Sequence, residues 1–183
     1  MNKPFIYTFL TLLVFLYEGC SSLSPSINNP SYLIANSDSL LLANPEDDEL
    51  RNAIVDARLS VAKSKNNLNE FKKVLQIDPK NRTAQYHIYM AEGITNHKKG
   101  HKNGQWDAIQ SFAKAATAID TVGNPYYWMG LAYEKKDEMD FELPLESYDK
   151  ALSLFLTNEV RTKVDSTREQ LLKRKKTYED FWK

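Results

Sequence analysis

The chain of 183 residues has only one cysteine, three histidines and six glycines, and its 24 basic residues are matched by 24 acidic residues. A lone cysteine excludes an internal disulfide, and three scattered histidines do not supply the ligand set of a dedicated metal site. Balanced charge gives no overall attraction to a polyanion, so we expect no nucleic-acid partner. The chain does have 42% apolar residues and 11% aromatic residues. That content is enough to build the core of one domain or of a short repeat array.

The start of the chain carries an apolar run, residues 5–16, preceded by the positive charges of Lys3 and the α-amino group. The run is shorter than the roughly 20 residues that a membrane-spanning helix needs. The pattern is typical of a secretory signal peptide over residues 1–19. Gly19 and Cys20, followed by Ser21, resemble the end of a bacterial lipoprotein signal. This resemblance implies that Cys20 is acylated after cleavage, and Ser21 is similar to the residue found in lipoproteins sent to the outer membrane.

Two other roles for Cys20 remain open. It is a free thiol if the signal is an ordinary cleaved one, or a chance cysteine if the apolar run is an uncleaved anchor. We favour lipidation because an exposed lone thiol is a liability outside the cytosol. Several acyl chains would hold the protein nearly permanently, at about 0.8 kcal/mol per buried methylene. We therefore expect a lipid-anchored protein of the bacterial cell envelope, facing the periplasm from the outer membrane.

Residues 20–44 are rich in serine, asparagine and proline and predict a flexible tether. Two apolar patches within it, 32–34 and 40–42, are candidates for docking on the folded domain. The predicted domain covers residues 45–157, and its first helix is expected to be capped by Asn44 with Pro45 in its first turn.

Apolar residues recur at helical spacing through the rest of the chain, and prolines or polar turns divide them into helices. Asp78-Pro79 ends the second helix because proline cannot continue it. Further helices are predicted over residues 83–97 and 106–119, then on either side of residues 136–140. A closing helix is predicted over residues 158–183. It has a narrow apolar stripe and a solvent-exposed polar face, as expected of a helix that covers the end of a repeat array.

Residues 126–152 carry the clearest motif. Tyr126, Met129, Gly130 and Tyr133 have the spacing of the W-x2-L-G-x2-Y signature, with tyrosine for tryptophan and methionine for leucine. The second half of this stretch resembles the second helix of the tetratricopeptide repeat, and so does the preceding helix. The resemblance implies an all-α fold, an α-α superhelix of about three helical hairpins over residues 48–81, 82–122 and 123–156. The residues expected to pack the repeats are Phe71, Phe112, Ala115, Gly130, Tyr133, Tyr148 and Ala151.

The spacing of equivalent aromatics is uneven. Phe71 and Phe112 are 41 residues apart, and Phe112 and Tyr148 are 36 apart, against a family period of 34. The predicted alignment puts Tyr89 at the glycine position of the second hairpin. The extra residues then lie in the connection within that hairpin, or else lengthen its two helices.

No catalytic constellation is present, so we do not expect an enzyme or a cofactor. His97 and His101 are four residues apart, which is a ligand spacing on a helix, but Gly100 lies between them. A surface loop is the alternative. The basic run 173–176 either complements the negative end of its helix or contacts anionic lipid or an acidic partner.

The resemblance also implies a concave groove lined by the first helix of each hairpin. The side chains expected there are Tyr86, Met90, Ile94, Tyr127, Leu131 and Lys135. Tyrosine and methionine suit adaptable contact with a partner, although Tyr86 and Tyr127 can equally support neighbouring helices. The predicted function is an envelope scaffold that binds another envelope protein or peptide. The alternatives are a component that encloses a small apolar ligand between its helices and a self-associating structural lipoprotein.

Overall fold

The structure is a computed structural model, and it describes residues 29–183. The predicted signal peptide, Cys20 and the first part of the predicted tether lie outside the described residues. Residues 29–183 contain nine helices and no strand, so the predicted all-α class is confirmed. The helices are α1 (Pro30–Ala35), α2 (Ser37–Ala43), α3 (Asp48–Lys65), α4 (Leu68–Ile77), α5 (Arg82–Lys98), α6 (Lys102–Ala118), α7 (Asn124–Lys136), α8 (Glu142–Leu152) and α9 (Asn158–Phe181).

Polar side chains cap most helix starts. Asp47, rather than the expected Asn44, caps α3 by accepting a hydrogen bond from the Leu50 amide at 2.9 Å. Asn44 instead ends α2. Further caps of this kind accept backbone amides at the starts of other helices; they are Asn29 for α1, Asn67 for α4, Asn81 for α5, His101 for α6 and Thr157 for α9.

From α3 onward each helix packs mainly against its neighbours along the chain, whereas α1 packs mainly on α3. The pairs α3–α4, α5–α6 and α7–α8 form three hairpins, and α4 also packs on α5, α6 on α7 and α8 on α9. The first helices of the second and third hairpins, α5 and α7, touch directly. The buried apolar residues accordingly fall into several clusters in succession rather than one central core.

The second hairpin is longer than the others because the extra residues extend its helices. Both α5 and α6 contain 17 residues, against 13 in α7 and 11 in α8. His101 starts α6 four residues earlier than predicted, through a hydrogen bond from the Gly104 amide to its Nδ1 at 2.8 Å. Only residues 99–101 remain as a turn, which Gly100 makes with φ of +84°.

The glycine of the second hairpin is Gly93, and not the predicted position of Tyr89. A Cβ on Gly93 would lie 2.4 Å from Cε1 of Phe112, and one on Gly130 would lie 2.3 Å from Cε1 of Tyr148. The two hairpins therefore cross at equivalent glycine–aromatic pairs. Gly93 and Gly130 are 37 residues apart, so the predicted register of α5 was off by four residues, about one helical turn.

The described part of the predicted tether is helical. Its first apolar patch docks as anticipated, since Leu33 is buried on α3 beside Leu50 and Ile54. Between the patches, Ser37 is also buried. Residues 30–43 thus extend the packed structure at its N-terminal end instead of lying free of it.

The last helix, α9, packs on α8 through Val164 and Leu171, both fully buried. Its solvent-exposed face carries an ion pair between Lys163 and Glu159. The connection before α9 is held by two backbone hydrogen bonds, from the Gly123 amide to Phe155 O at 2.9 Å and from the Phe155 amide to Thr121 O at 3.0 Å.

None of the helices within residues 29–183 is both long enough and apolar enough to cross a bilayer.

Candidate functional site

The best candidate for a binding surface is the side of α5 and α7 that carries Ile94, Leu131, Lys98 and Lys135. We call it the α5–α7 face. Ile94 and Leu131 are half-buried, and both lysines are exposed. In each helix the lysine follows the apolar residue by four positions, and each pair is 37 residues from the other, the same offset as Gly93 and Gly130. Because i and i+4 share a helix face, two adjacent helices repeat one apolar and basic pattern.

Other residues predicted to line a groove are more enclosed. Met90 is only 8% exposed and belongs to the core between α5, α6 and α7, together with Ala108 and Ala132. Its expected role in the groove is corrected to packing, because α5 and α7 lie against each other at that level. Tyr86 is half-buried in the same region, and burial raises the pKa of its hydroxyl.

Tyr127 is half-buried and packs on the third hairpin, with its ring centre 6.1 Å from that of Tyr148. The hydroxyl of Tyr148 donates to Glu134, and burial followed by this hydrogen bond raises the pKa of Tyr148. Glu134 also receives Arg174 of α9 at 2.8 Å. Tyr127 thus has the supporting role that was the alternative to groove lining, while part of its ring remains at the surface.

A polar network closes the end of the α5–α7 face. His97 Nδ1 lies 2.7 Å from Gln105 Oε1, and Gln105 Nε2 donates to His97 O at 3.1 Å. Because an amide oxygen only accepts, the neutral histidine must carry its proton on Nδ1. Lys135 Nζ donates to the same carbonyl, His97 O, at 3.4 Å and so links the C-terminal ends of α5 and α7. Burial lowers the pKa of His97, and nearby Lys135 lowers it further, against the opposing effect of Gln105.

Trp128 joins these elements and was not singled out from the sequence. Its ring centre lies 5.7 Å from His97, 6.0 Å from Phe112 and 6.1 Å from Tyr127. It therefore connects α5 and α6 to α7 through aromatic contacts. The sequence does place Trp128 directly after Tyr126 and Tyr127, in an aromatic cluster. The repeat motif assigns no role to position 128, so the residue was passed over.

The predicted packing residues lie inside the structure. The three aromatics Phe71, Phe112 and Tyr148 are fully buried, one in each hairpin. Phe71 stacks on His87 of α5 with ring centres 4.3 Å apart. The alanines are also fully buried, and Tyr133 is half-buried; these are Ala115, Ala151 and Tyr133.

A second cluster of polar residues lies between the N-terminal helices and the first hairpin. Arg58, only 4% exposed, donates to Glu70 Oε2 at 2.6 Å, to Ile34 O at 3.3 Å and to the hydroxyl of Ser37. Lys73 Nζ donates to the other oxygen of Glu70 at 3.0 Å. Burial alone would raise the pKa of Glu70, but the hydrogen bonds from Lys73 and Arg58 outweigh it and the pKa is lowered. Beside this cluster is a pocket of about 610 Å³ whose apolar walls come from α1, α2 and α4.

His97 and His101 do not form a ligand pair, since His97 bonds to Gln105 and His101 caps α6. Within residues 29–183 no group of three or more histidine, cysteine, aspartate or glutamate side chains is arranged to hold a metal ion.

Comparison with protein-family models, with curated proteins and with solved structures finds no match to this chain.

Proposed function

We propose that the chain is a membrane-anchored interaction scaffold of the bacterial cell envelope, with tetratricopeptide-like hairpins that bind another envelope protein or peptide. The observation that carries this proposal is the repetition in α5 and α7. The glycines of the crossing and the surface pair recur at an offset of 37 residues, and the facing aromatics Phe112 and Tyr148 at 36. Repetition of both packing and surface is what an array of similar hairpins produces.

The side chains exposed on the α5–α7 face are suited to binding a peptide. Half-buried Ile94 and Leu131 offer apolar contact, while Tyr127 presents part of an amphipathic ring. Lys98 and Lys135 supply charge at one end. The N-terminal sequence up to Cys20 adds the proposed lipid anchor, which would place this face at a membrane.

The test is recovery of partners from envelope extracts by the full chain and by the double variant Ile94→Lys/Leu131→Lys. A matched control is Leu75→Lys/Leu152→Lys, which introduces the same charges at half-buried positions of the second helices α4 and α8. We expect the control to retain a partner that the α5–α7 variant loses. Equal recovery by both variants, with both folded by circular dichroism, would exclude this face.

A second candidate function is the binding of a small ligand, and the open, largely polar pocket of about 610 Å³ beside Arg58 favours it. Its volume lies in the range of known small-molecule sites. Its wall combines apolar Ile34, Leu41 and Ile77 with the charged side chains of Asp38 and Lys73. Native mass spectrometry separates the two functions, because a stoichiometric small molecule on freshly isolated protein would support the second.

A further inference from the structure

Five lysines gather at one corner of the second and third hairpins, although the chain as a whole has no net charge. We call this the basic corner, and its members are Lys98, Lys99, Lys102, Lys135 and Lys136. The first three flank the turn between α5 and α6, and the last two end α7. Because α5 and α7 lie side by side, their C-terminal ends meet there.

Contacts across the corner establish that these lysines are neighbours. Lys135 Nζ reaches His97 O, and the same ammonium lies 4.0 Å from where a Cβ on Gly100 would be. Lys136 Nζ lies 4.0 Å from the ring centre of Trp106, which is in the first turns of α6. The turn between α5 and α6 and the end of α7 therefore form one surface.

Lys99 donates to Asn96 Oδ1 at 2.7 Å, and Lys135 and Lys136 contact His97 O and the ring of Trp106, but none of these contacts neutralises an ammonium charge. Among residues 29–183, none of the five is in an ion pair with a carboxylate. By contrast, the basic run of α9 is used internally, since Arg174 pairs with Glu134 and Lys175 with Glu142. Five like charges, none of them paired with a carboxylate, favour an anionic partner at this corner.

The geometry points to the occupant, and this inference rests on the proposed function. We infer that the segment bound on the α5–α7 face is acidic where it reaches the basic corner, with apolar side chains placed over Ile94 and Leu131. Each of those residues is one helical turn before a lysine of the corner, Lys98 or Lys135. A peptide that runs along the face meets apolar contacts first and ammonium groups next.

A protein segment fits better than a lipid surface. The turn that follows α7 carries Asp137, Glu138 and Asp140, directly beside the corner. A flat anionic bilayer large enough to touch the corner would also approach these carboxylates. A narrow peptide can contact the lysines and avoid them.

The test uses the full chain and a fluorescent peptide of two leucines followed by six glutamates. Its counterpart has six glutamines. We expect the glutamate peptide to bind by fluorescence anisotropy, more weakly as salt is raised, and the glutamine peptide to bind at least about tenfold more weakly. The variant Lys98→Gln/Lys102→Gln/Lys135→Gln should lose about tenfold in affinity, as expected for three exposed charge contacts. The matched variant Lys72→Gln/Lys80→Gln/Lys114→Gln should stay within about twofold, because its lysines lie elsewhere.

Equal losses in the two triple variants, or equal binding of the two peptides, would overturn the inference. So would binding to phosphatidylglycerol vesicles that falls in the first variant and not in the second, since that outcome assigns the corner to lipid. The proposed function is judged separately. A partner that needs Ile94 and Leu131 but tolerates the three glutamines leaves the scaffold intact and removes only its acidic ligand.

Discussion

A methyl group on Gly130 would lie 2.3 Å from Cε1 of Tyr148, which is closer than two non-bonded carbon atoms can approach. The ring has little freedom to retreat because Tyr148 is fully buried and its hydroxyl donates to Glu134. The helices α7 and α8 can therefore approach this closely only with glycine at position 130.

Gly130→Ala should consequently destabilise the protein by up to about 2 kcal/mol. Overpacking costs about 1–3 kcal/mol, and the better helix propensity of alanine returns about 1 kcal/mol. Urea unfolding measures the loss. In the background Tyr148→Leu, which shortens the facing side chain, the same substitution should cost less, and additive losses would contradict the clash.

Arg58→Met should be among the most damaging single substitutions. It leaves Glu70 buried with Lys73 alone, and breaking a buried ion pair costs about 3–5 kcal/mol. The matched change is Arg51→Met, whose partner Asp48 is largely exposed, and it should cost less than about 1 kcal/mol. The midpoint of urea unfolding distinguishes them, and similar midpoints would show that the buried pair contributes little.

The double variant Arg58→Met/Glu70→Met should be milder than Arg58→Met alone, because no unpaired charge is then buried. Hydrogen exchange adds a local readout. Since Arg58 bonds to Ile34 and Ser37, residues 30–43 should exchange faster in Arg58→Met.

Stability should decrease as the pH falls below about 6.5, the ordinary histidine pKa. Burial lowers the pKa of His87 and of His97, and Lys63 and Lys135 respectively lower them further. A histidine whose pKa is lower in the folded state favours folding above its unfolded pKa, and this contribution is lost as protons bind the unfolded chain. Melting temperatures at pH 7.5 and 5.5 test this. The variant His87→Gln/His97→Gln should show a smaller drop, and an unchanged drop would assign the effect to carboxylates.

Arg174→Gln should loosen the end of α9. Arg174 bonds to Glu134 at 2.8 Å and to Glu138 O at 3.1 Å, which ties α9 to the third hairpin. Because the arginine is half-exposed, the global loss should stay near or below 1 kcal/mol. Hydrogen exchange of residues 174–181 should accelerate. The control Lys163→Gln removes a pair within α9 itself and should leave those amides unchanged; acceleration in both would point to general fraying.

Cys20→Ala should release the protein from membranes if the proposed acylation is correct. Fractionation followed by intact mass measurement provides the test, since the wild type should carry the mass of acyl chains. Ser21→Ala is the neighbouring control and should remain acylated. Membrane retention of Cys20→Ala without an acyl mass on the wild type would remove the anchor from the proposed function.

The helical class could be predicted from the sequence, because prolines, caps and apolar periodicity act locally. The sequence did not predict the register of α5. Tyr89 and Gly93 are one turn apart, and only the approach of Phe112 shows which of them faces the crossing. Local pattern cannot make that choice, since both positions lie on nearly the same side of the helix.

The candidate site was predicted less completely, for the same reason. Ile94 and Leu131 are half-buried and Lys135 is exposed, so their groove role stays a prediction, but Met90 is buried in the core between α5, α6 and α7. The basic corner was hidden by the balanced composition, because it depends on which turns the fold brings together. Asn44 was wrongly predicted to cap α3. The side chain of Asp47 is better placed to accept the Leu50 amide and takes that position instead.

Packing between chain neighbours also bears on how the molecule assembles. Since most helix contacts join segments that are adjacent in sequence, little loop entropy must be lost before native contacts form. Folding should begin in any one hairpin and spread to both sides. A destabilising substitution in the turn around Gly100 would then uncouple the unfolding of the N-terminal helices from that of the C-terminal helices. It would not unfold the whole domain in one step.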